Sequence, residues 1–431
     1  MAVLEEHCPE HWSDTVTPDI VQLSEIVRRP LIDEQGDRIG RVEDVVVRLG
    51  ASPHPPVVGL VVRFGGRELF VASDKIGSLD EGKVRFAGKR VDLRRFERRE
   101  GELLLAKDLL SRHLINIGVG RLITANNILL AQGESGWEVV GVDPKRPSIF
   151  GRLGGRRSPS SEVVDFASIE PFVAHVPTAK LQLTYRKLAK LHPAQIADLV
   201  EAASHEEGEE IIDAVGEDQE LEADVFEELD MEHQVEFLAT RSDREVARLL
   251  ERMASDDAAD LISEIPQERR LLVLDQLPEA QQRKVRGLLS YNPETAGGIM
   301  TPDFVAVLST ATVADAIAAV AASTAPPEAL NVVYSLNADG SLQGSAPLAS
   351  LVRSPASALV IDVAQADPAS VKAGWDLHRV ARQMSDFNLV VAPVVAREDG
   401  HVVGVVTIDD LIELLLPQGW RREFGMSTVE E

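Results

Sequence analysis

The chain has 431 residues, of which 44% are hydrophobic and 26% are charged, a composition typical of soluble globular proteins. This length exceeds what one hydrophobic core usually serves, so we expect three or more domains. The formal net charge of -26 disfavours nucleic acid and anionic lipid as partners because both are polyanions, and it favours cations. One cysteine excludes an internal disulfide framework and a cysteine-based zinc site.

Membrane and export signals are absent from the sequence. A membrane-spanning helix needs about 20 consecutive apolar residues, and no run of that length occurs. No apolar segment follows a basic start at Met1, so we expect no signal peptide. The sequence therefore predicts a cytoplasmic location and no membrane span.

Residues 20–150 predict short strands punctuated by glycine and proline. This region contains an internal repeat, because the offset that takes Leu31 to Leu114 also takes Asp44 to Asn127. We predict an N-terminal tail at 1–19, a first copy at 20–102 and a second copy at 103–150.

The repeated pattern resembles PRC-barrel modules, in which a polar turn such as residues 33–37 leads into a strand and a hydrophobic run. The resemblance implies a small, internally repeated β-barrel that docks other proteins and performs no catalysis. A β-barrel that serves only as a spacer is the alternative.

A Gly-, Ser- and Arg-rich stretch predicts a linker at 151–184, and residues 185–290 then show apolar residues at helical spacing. Short helices at close spacing cannot each bury a face alone, so we expect them to stack into a superhelix. The predicted helix starts are Ser242-Asp243, Ser255-Asp256, Pro266 and Pro278.

Residues 291–420 predict two units of strand, helix, strand, strand and helix, followed by a tail at 421–431. In the second unit, residues 402–411 form a strand that enters a helix, which is typical of a CBS motif. The first unit, residues 305–352, matches this pattern more weakly.

The junction Tyr291–Val307 and the helix start at Leu191–Leu199 resemble the N domain and CBS pair of MgtE-type magnesium transporters. The resemblance implies a multidomain α+β protein: an N-terminal PRC-barrel-like β region, a central α-helical superhelix and a C-terminal α/β CBS pair. Such pairs commonly dimerise, so we expect a homodimer. The implied function is Mg2+-responsive regulation or scaffolding by a chain without its own pore, with a separate membrane transporter as a partner.

The acidic residues of the helical region are the candidate Mg2+ ligands. Mg2+ prefers oxygen ligands and keeps several waters, so a few neighbouring carboxylates suffice. Asp256 and Asp260 are four residues apart, on one helix face, and helix capping by Ser255 and the aspartates is the alternative explanation. The resemblance to MgtE implies a set that comprises Asp224, Asp256, Asp257, Asp260, Asp376, Asp410 and Glu413. His378 and Asn388 stand where the family pattern has carboxylates, which suggests fewer or weaker ions.

The second CBS unit also carries a candidate adenine-nucleotide site. In CBS pairs a threonine at the strand end contacts phosphate, and an aspartate three residues later accepts the ribose hydroxyls. Thr407 and Asp410 match this pair, whereas Ser350 stands at the acidic position of the first unit. ATP is therefore the alternative ligand, and Asp410 belongs to both hypotheses.

Three functions remain open from the sequence. The first is the Mg2+-responsive regulator, the second an adenine-nucleotide sensor, and the third a constitutive adaptor that acts through its PRC-barrel-like region. An enzyme is the least supported class, since no pattern of nucleophile, base and orienting residue is evident.

Overall fold

The computed structural model describes residues 20–50, 52–80, 83–88, 95–133, 136–145, 163–172, 185–396 and 400–415. The predicted tails and the Gly-, Ser- and Arg-rich part of the predicted linker lie outside these residues. The chain divides into two compact units, Met1–Asp230 and Met231–Glu431. Within the described residues, no helix combines the length and the apolar character that crossing a bilayer requires.

The β region forms the start of the first unit. Its strands are β1 Val21–Gln22, β2 Pro30–Ile32, β3 Arg38–Arg48, β4 Val57–Phe64, β5 Arg67–Ala72, β6 Ile76–Asp80, β7 Lys83–Phe86, β8 Glu102–Leu104, β9 His113–Asn116, β10 Arg121–Thr124, β11 Asn127–Gly133, β12 Gly136–Asp143, β13 Val164–Asp165 and β14 Ile169–Pro171.

These strands form open sheets. The largest has the order β5-β4-β3-β2-β7-β6, with β8 beside β3, and two smaller ones have the orders β1-β11-β12-β13 and β10-β9-β14. The turn Ser73–Lys75 joins the edge strands β5 and β6. A connection this short keeps the joined ends of the two edge strands near each other, because a residue spans at most about 3.6 Å. Since a helical turn joins these edges in place of a ladder of hydrogen bonds, the closed barrel expected from the sequence is not found among the described residues.

The internal repeat is present in the backbone. Arg28 and Ser111, at equivalent positions, both adopt positive φ (68° and 63°). The Arg28 N–H donates to the Val42 carbonyl at 2.8 Å, and the Ser111 N–H donates to the Ala125 carbonyl at 2.7 Å. Identical turns at a constant offset show that the two copies share one local fold.

Each copy holds the first segment of the other copy. The Asp44 carboxylate on β3 accepts the N–H groups of Ala106 and Lys107 at 2.7 and 3.0 Å, in the helical turn Leu105–Leu109. Asn127 on β11 accepts the N–H of Ser24 at 3.3 Å, in helix α1, Leu23–Ile26. The strands beside these segments are exchanged in the same way: β8 pairs with β3, and β1 pairs with β11, both antiparallel. One buried apolar core runs through both copies and includes Leu23, Val45, Leu60, Leu114 and Leu130.

Four helices complete the first unit: α2 Tyr185–Leu188, α3 Pro193–Ala202, α4 His205–Val215 and α5 Gln219–Glu228. Helix α3 packs on α4 and α5, and also on strand β10. His113 Nδ1 of β9 lies 3.3 Å from Oε2 of Glu207, which also forms the capping box of α4 with Ser204. The second β copy thus covers the start of the helical region, as the end of a helical stack requires.

The second unit begins with short helices. They are α6 Met231–Ala239, α7 Asp243–Leu250, α8 Ser255–Glu264, α9 Gln267–Leu274 and α10 Glu279–Leu288. Helix α6 packs on α8, α7 on α9, and α8 on α10. This alternate contact within each unit is the packing expected of stacked short helices.

The rest of the second unit is α/β. Its elements are β15 Val305–Leu308, α11 Val313–Ala321, β16 Val332–Leu336, β17 Leu342–Pro347, α12 Leu348–Val352, α13 Val360–Val363, β18 Gln365–Ala366, β19 Val371–Lys372, α14 Leu377–Phe387, β20 Val391–Val395, β21 Val402–Thr407 and α15 Ile408–Leu415. Strands β15-β16-β17 and β19-β20-β21 each contain one parallel and one antiparallel pair in the same order. The two predicted units therefore share one topology. Tyr334 packs in a common core with Val391 and Val405, which joins the two sheets.

Candidate functional site

The candidate carboxylates of α8 lie in its first two turns. Asp257 and Asp260 are exposed and Asp256 is half-buried. Asp256 and Asp257 lie beside the positive end of the helix dipole, which stabilises their charge. The predicted one-face arrangement of Asp256 and Asp260 follows from the helical spacing.

Asp260 is an electrostatically strained carboxylate. Partial burial and, to a smaller extent, the charge of Glu264 raise the pKa of Asp260 to about 6, although the residue as a whole is exposed. Ionised Asp260 is thus unfavourable in its surroundings, and a nearby cation would relieve that cost.

Ser255 does not cap α8, although the sequence allowed this role as the alternative explanation. The N-cap is Ala254, which offers no side-chain hydrogen bond, and Ser255 is the first helical residue and is buried. The Ser255 hydroxyl donates to Oδ2 of Asp303 at 3.1 Å, and Lys284 Nζ of α10 lies 2.5 Å from Oδ1 of Asp303. Local sequence patterns do not predict this network. The only indication of it in the sequence is the position of Asp303 within the junction segment 291–307.

Asp224 belongs to a separate acidic group in the first unit. It is exposed on α5. Burial raises the pKa of Asp224, as do the charges of Glu220, Asp218 and Glu228, while His192 lowers it. Asp224 therefore shares the electrostatic character of Asp260 on a different unit.

Asp376 caps helix α14, because its Oδ1 accepts the backbone N–H of Arg379 at 3.0 Å. Asn388 ends the same helix in the left-handed conformation, with φ 52° and ψ 44°. Asparagine tolerates this conformation well, which gives a structural reason for Asn388 where the family pattern has an aspartate. His378 is exposed on the first turn.

Thr407 and Asp410 contact each other at the end of β21. The Thr407 hydroxyl donates to Oδ2 of Asp410 at 2.7 Å, and the Asp410 N–H donates to the Thr407 oxygen at 3.3 Å. Burial raises the pKa of Asp410 and the charges of Asp409 and Glu328 add to this, whereas the bonds from Thr407 oppose it. The backbone of Glu413 lies on α15, but its side chain is outside the described part of the structure.

The seven predicted metal ligands are distributed over several elements and over both units. Within the described residues, none of them belongs to a group of three ligand atoms within 4.8 Å of one another. Asp224 lies in the first unit, and the other six lie in the second.

Other prominent residues have packing roles. His233 stacks on Phe237, with ring centroids 6.4 Å apart, and the Arg379 guanidinium lies 3.9 Å from the centre of the Trp375 ring. A Cβ atom on Gly297 would approach the Tyr291 ring to 2.4 Å, so the junction requires glycine there. Trp420 is outside the described residues.

Two family models match the chain: the MgtE intracellular N domain at residues 191–294 and the CBS domain at residues 360–417. Over these regions the chain is homologous to the cytosolic part of MgtE. Magnesium transporter MgtE of Thermus thermophilus is 29% identical over 198 residues, which are 45% of this chain and 43% of that protein. Magnesium transporter MgtE of Enterococcus faecalis is 30% identical over 147 residues, 34% of this chain and 32% of that protein. The chain thus matches less than half the length of these curated MgtE relatives.

A solved structure of the cytosolic domain of the Mg2+ channel MgtE in complex with ATP is 27% identical, with a TM-score of 0.49. The match covers 54% of this chain and 93% of the solved chain. The predicted α8 carboxylates and Asp224 lie within the MgtE N-domain match, and Asp376, Thr407, Asp410 and Glu413 lie within the CBS match. The β region at 20–150 lies outside both, so its PRC-barrel likeness stays a prediction.

Proposed function

We propose that this chain is a Mg2+-responsive regulatory or scaffold protein that acts on magnesium transport. The observation that carries the proposal is the group of carboxylates on α8, inside the MgtE N-domain match, where burial and then the charge of Glu264 raise the pKa of Asp260 to about 6. Carboxylate oxygens suit Mg2+, a hard cation that retains water ligands and needs few protein ligands.

The mechanism follows from like-charge repulsion. Asp256, Asp257 and Asp260 would hold Mg2+ together with its retained waters, and the ion would supply positive charge where ionised carboxylates are crowded. Binding stabilises whichever arrangement of the acidic helices has the higher affinity for Mg2+. A rise in Mg2+ concentration would then shift the protein toward that arrangement.

Calorimetric titration with Mg2+ tests this proposal, with Ca2+ and monovalent salt of equal ionic strength as comparisons. We expect saturable Mg2+ binding that Asp256→Ala/Asp260→Ala weakens at least ten-fold. The matched control is Asp275→Ala/Glu279→Ala, which also removes two carboxylates but at exposed ion pairs with Arg286 and Arg283. Equal Mg2+ binding by the two double variants would refute the role of α8.

An adenine-nucleotide sensor is the second candidate function. The contact between Thr407 and Asp410, inside the CBS match, supports it. The Glu328 charge beside Asp410 and the existing bond from Thr407 weigh against it. Saturable ATP binding that Asp410→Ala abolishes and Asp256→Ala/Asp260→Ala leaves intact would favour the nucleotide sensor over the Mg2+ sensor.

The proposed assembly is a homodimer through the CBS helices. Exposed apolar side chains on or beside α14 and α15 support it, namely Phe387, Val390, Ile412, Leu414 and Leu415. Apolar groups at this density gain free energy when a partner surface removes them from water. A membrane transporter is the further partner that we propose.

A further inference from the structure

A lysine joins the helical segment of the second unit to the CBS pair. Lys284 Nζ on α10 lies 2.5 Å from Oδ1 of Asp303, and the Ser255 hydroxyl at the start of α8 donates to Oδ2 of the same carboxylate at 3.1 Å. Oε1 of Gln281 on α10 lies 3.3 Å from the same hydroxyl and is an alternative acceptor for its single proton. One carboxylate therefore holds two helices.

Asp303 is itself fixed to the CBS pair. Two residues earlier, buried Thr301 pairs with Val405 of β21, and each N–H donates to the other carbonyl at 2.9 Å. Strand β15 begins two residues after Asp303, at Val305. The carboxylate cannot move far unless the CBS strands move with it.

The ion pair is partly shielded from water. The side chains of Lys284 and Asp303 are 36% and 22% exposed, whereas the adjacent pair Arg283 and Glu279 is 72% and 84% exposed. Partial burial reduces screening by salt, so the Lys284 pair should contribute more than its exposed neighbour.

We propose that Lys284 is a built-in counterion that holds α8 and α10 on the CBS pair without a divalent ion. The ammonium supplies to Asp303 the positive charge that Mg2+ is proposed to supply to the carboxylates of α8. This junction then stays closed at any Mg2+ concentration, and the response to Mg2+ arises from other carboxylates. The inference goes beyond the proposed function and does not depend on Mg2+ binding by α8.

Water and small ions can reach the pair. A cleft of about 240 Å³ lies beside it and is lined by residues that include Lys284, Tyr291, Pro302 and Val403. Loss of the ammonium would leave the partly exposed Asp303 carboxylate with a negative charge to be balanced. Lys284→Gln should therefore convert a Mg2+-independent contact into a Mg2+-dependent one.

Hydrogen–deuterium exchange of the full chain tests the proposal, with EDTA and with excess Mg2+. In EDTA we expect amides of α8 and α10 to exchange about five- to ten-fold faster in Lys284→Gln than in the unaltered protein, and Mg2+ to restore slow exchange. Arg283→Gln is the matched control, because it removes the same charge one residue away, and it should leave exchange unchanged in both solutions.

A second variant separates loss of the ion pair from general damage to the fold. Lys284→Gln/Asp303→Asn removes the uncompensated carboxylate and should exchange more slowly in EDTA than Lys284→Gln, with no response to Mg2+. Exchange in strand β4 reports that the rest of the chain is folded. Equal exchange by Lys284→Gln and Arg283→Gln in EDTA would overturn the counterion role. That outcome would leave the proposed Mg2+ function untouched, because the EDTA arm contains no Mg2+.

Discussion

At the scale of single residues, Asp44 and Asn127 show how one repeat position requires two different side chains. Asn127 Nδ2 donates to the side-chain oxygens of Gln22 and Ser24 at 2.7 and 3.0 Å. At the equivalent positions the other copy has Leu105 and Lys107, neither of which offers a side-chain acceptor. The first copy therefore needs a side chain that only accepts, and aspartate supplies one.

Asp44→Asn should destabilise the β region. Its amide nitrogen would face the Lys107 N–H, which would lose its acceptor in a partly buried site at a cost of about 1 kcal/mol. Urea unfolding followed by circular dichroism measures this change, and exchange at residues 105–109 locates it. Glu34→Gln, in an exposed turn, is the control. Equal stability of the two variants would contradict this account.

Asp44 and Asp260 also predict a pH dependence. Burial is the main cause that raises each pKa from 3.8 to about 6. Between these values the folded state binds more protons than the unfolded chain, so the free energy of unfolding decreases as pH rises from about 4 to about 6. This contribution to the free energy of unfolding is fully present below the pKa of the unfolded chain. We expect Asp260→Asn to flatten this part of the profile in urea titrations at a series of pH values. An unchanged slope would mean that Asp260 titrates alike in both states.

At the scale of elements, helical periodicity and capping signals in the sequence predict the positions of several helices. The start at Ser242-Asp243 is confirmed, because Ser242 caps α7 in a capping box with Glu245. At α8 the predicted start at Ser255-Asp256 is also confirmed, but Ser255 does not cap the helix, since it uses its hydroxyl for Asp303, a residue distant in sequence. Contacts of this kind depend on how elements pack, and no local pattern contains that information.

The β region shows the same limit on a larger scale. The repeat itself was evident from equivalent residues such as Leu31 and Leu114. The exchange of segments between the copies, and the unclosed sheet, depend on pairing between distant strands such as β3 and β8. Among the site residues, the sequence placed Asp256 and Asp260 on one helix, but it contained no measure of their burial or of their distance from other carboxylates.

The end of α14 provides a test at this scale. Asn388 occupies a left-handed position, where the Cβ atom of most residues costs roughly 1 kcal/mol and glycine, which has no Cβ, avoids this cost. We expect Asn388→Gly to retain the stability of the protein and Asn388→Ala to lower it by about 1 kcal/mol. Thermal unfolding of the two variants compares them directly. A less stable glycine variant would show that the Asn388 side chain contributes more than its backbone conformation.

At the scale of the whole molecule, net charge and exposed apolar surface act in opposite directions on assembly. The charge of -26 opposes association, whereas the apolar residues at α14 and α15 favour it. We expect the protein to sediment as a dimer and Phe387→Asp to shift it to a monomer, because Phe387 is 56% exposed within that apolar group. Leu271→Asp is the control, since Leu271 is 64% exposed on α9 and outside the CBS helices. A monomeric unaltered protein, or equal effects of both variants, would contradict assembly through the CBS helices.

The reciprocal bonds of Asp44 and Asn127 have a consequence for synthesis of the chain. A ribosome makes the first copy before residues 105–107 exist, so β3 emerges without the segment that satisfies Asp44. Helix α1 likewise lacks the acceptor for its Ser24 N–H until Asn127 has been synthesised. The two copies must therefore complete their folding together after translation has passed both, and expression of either copy alone would leave a buried polar group without its partner.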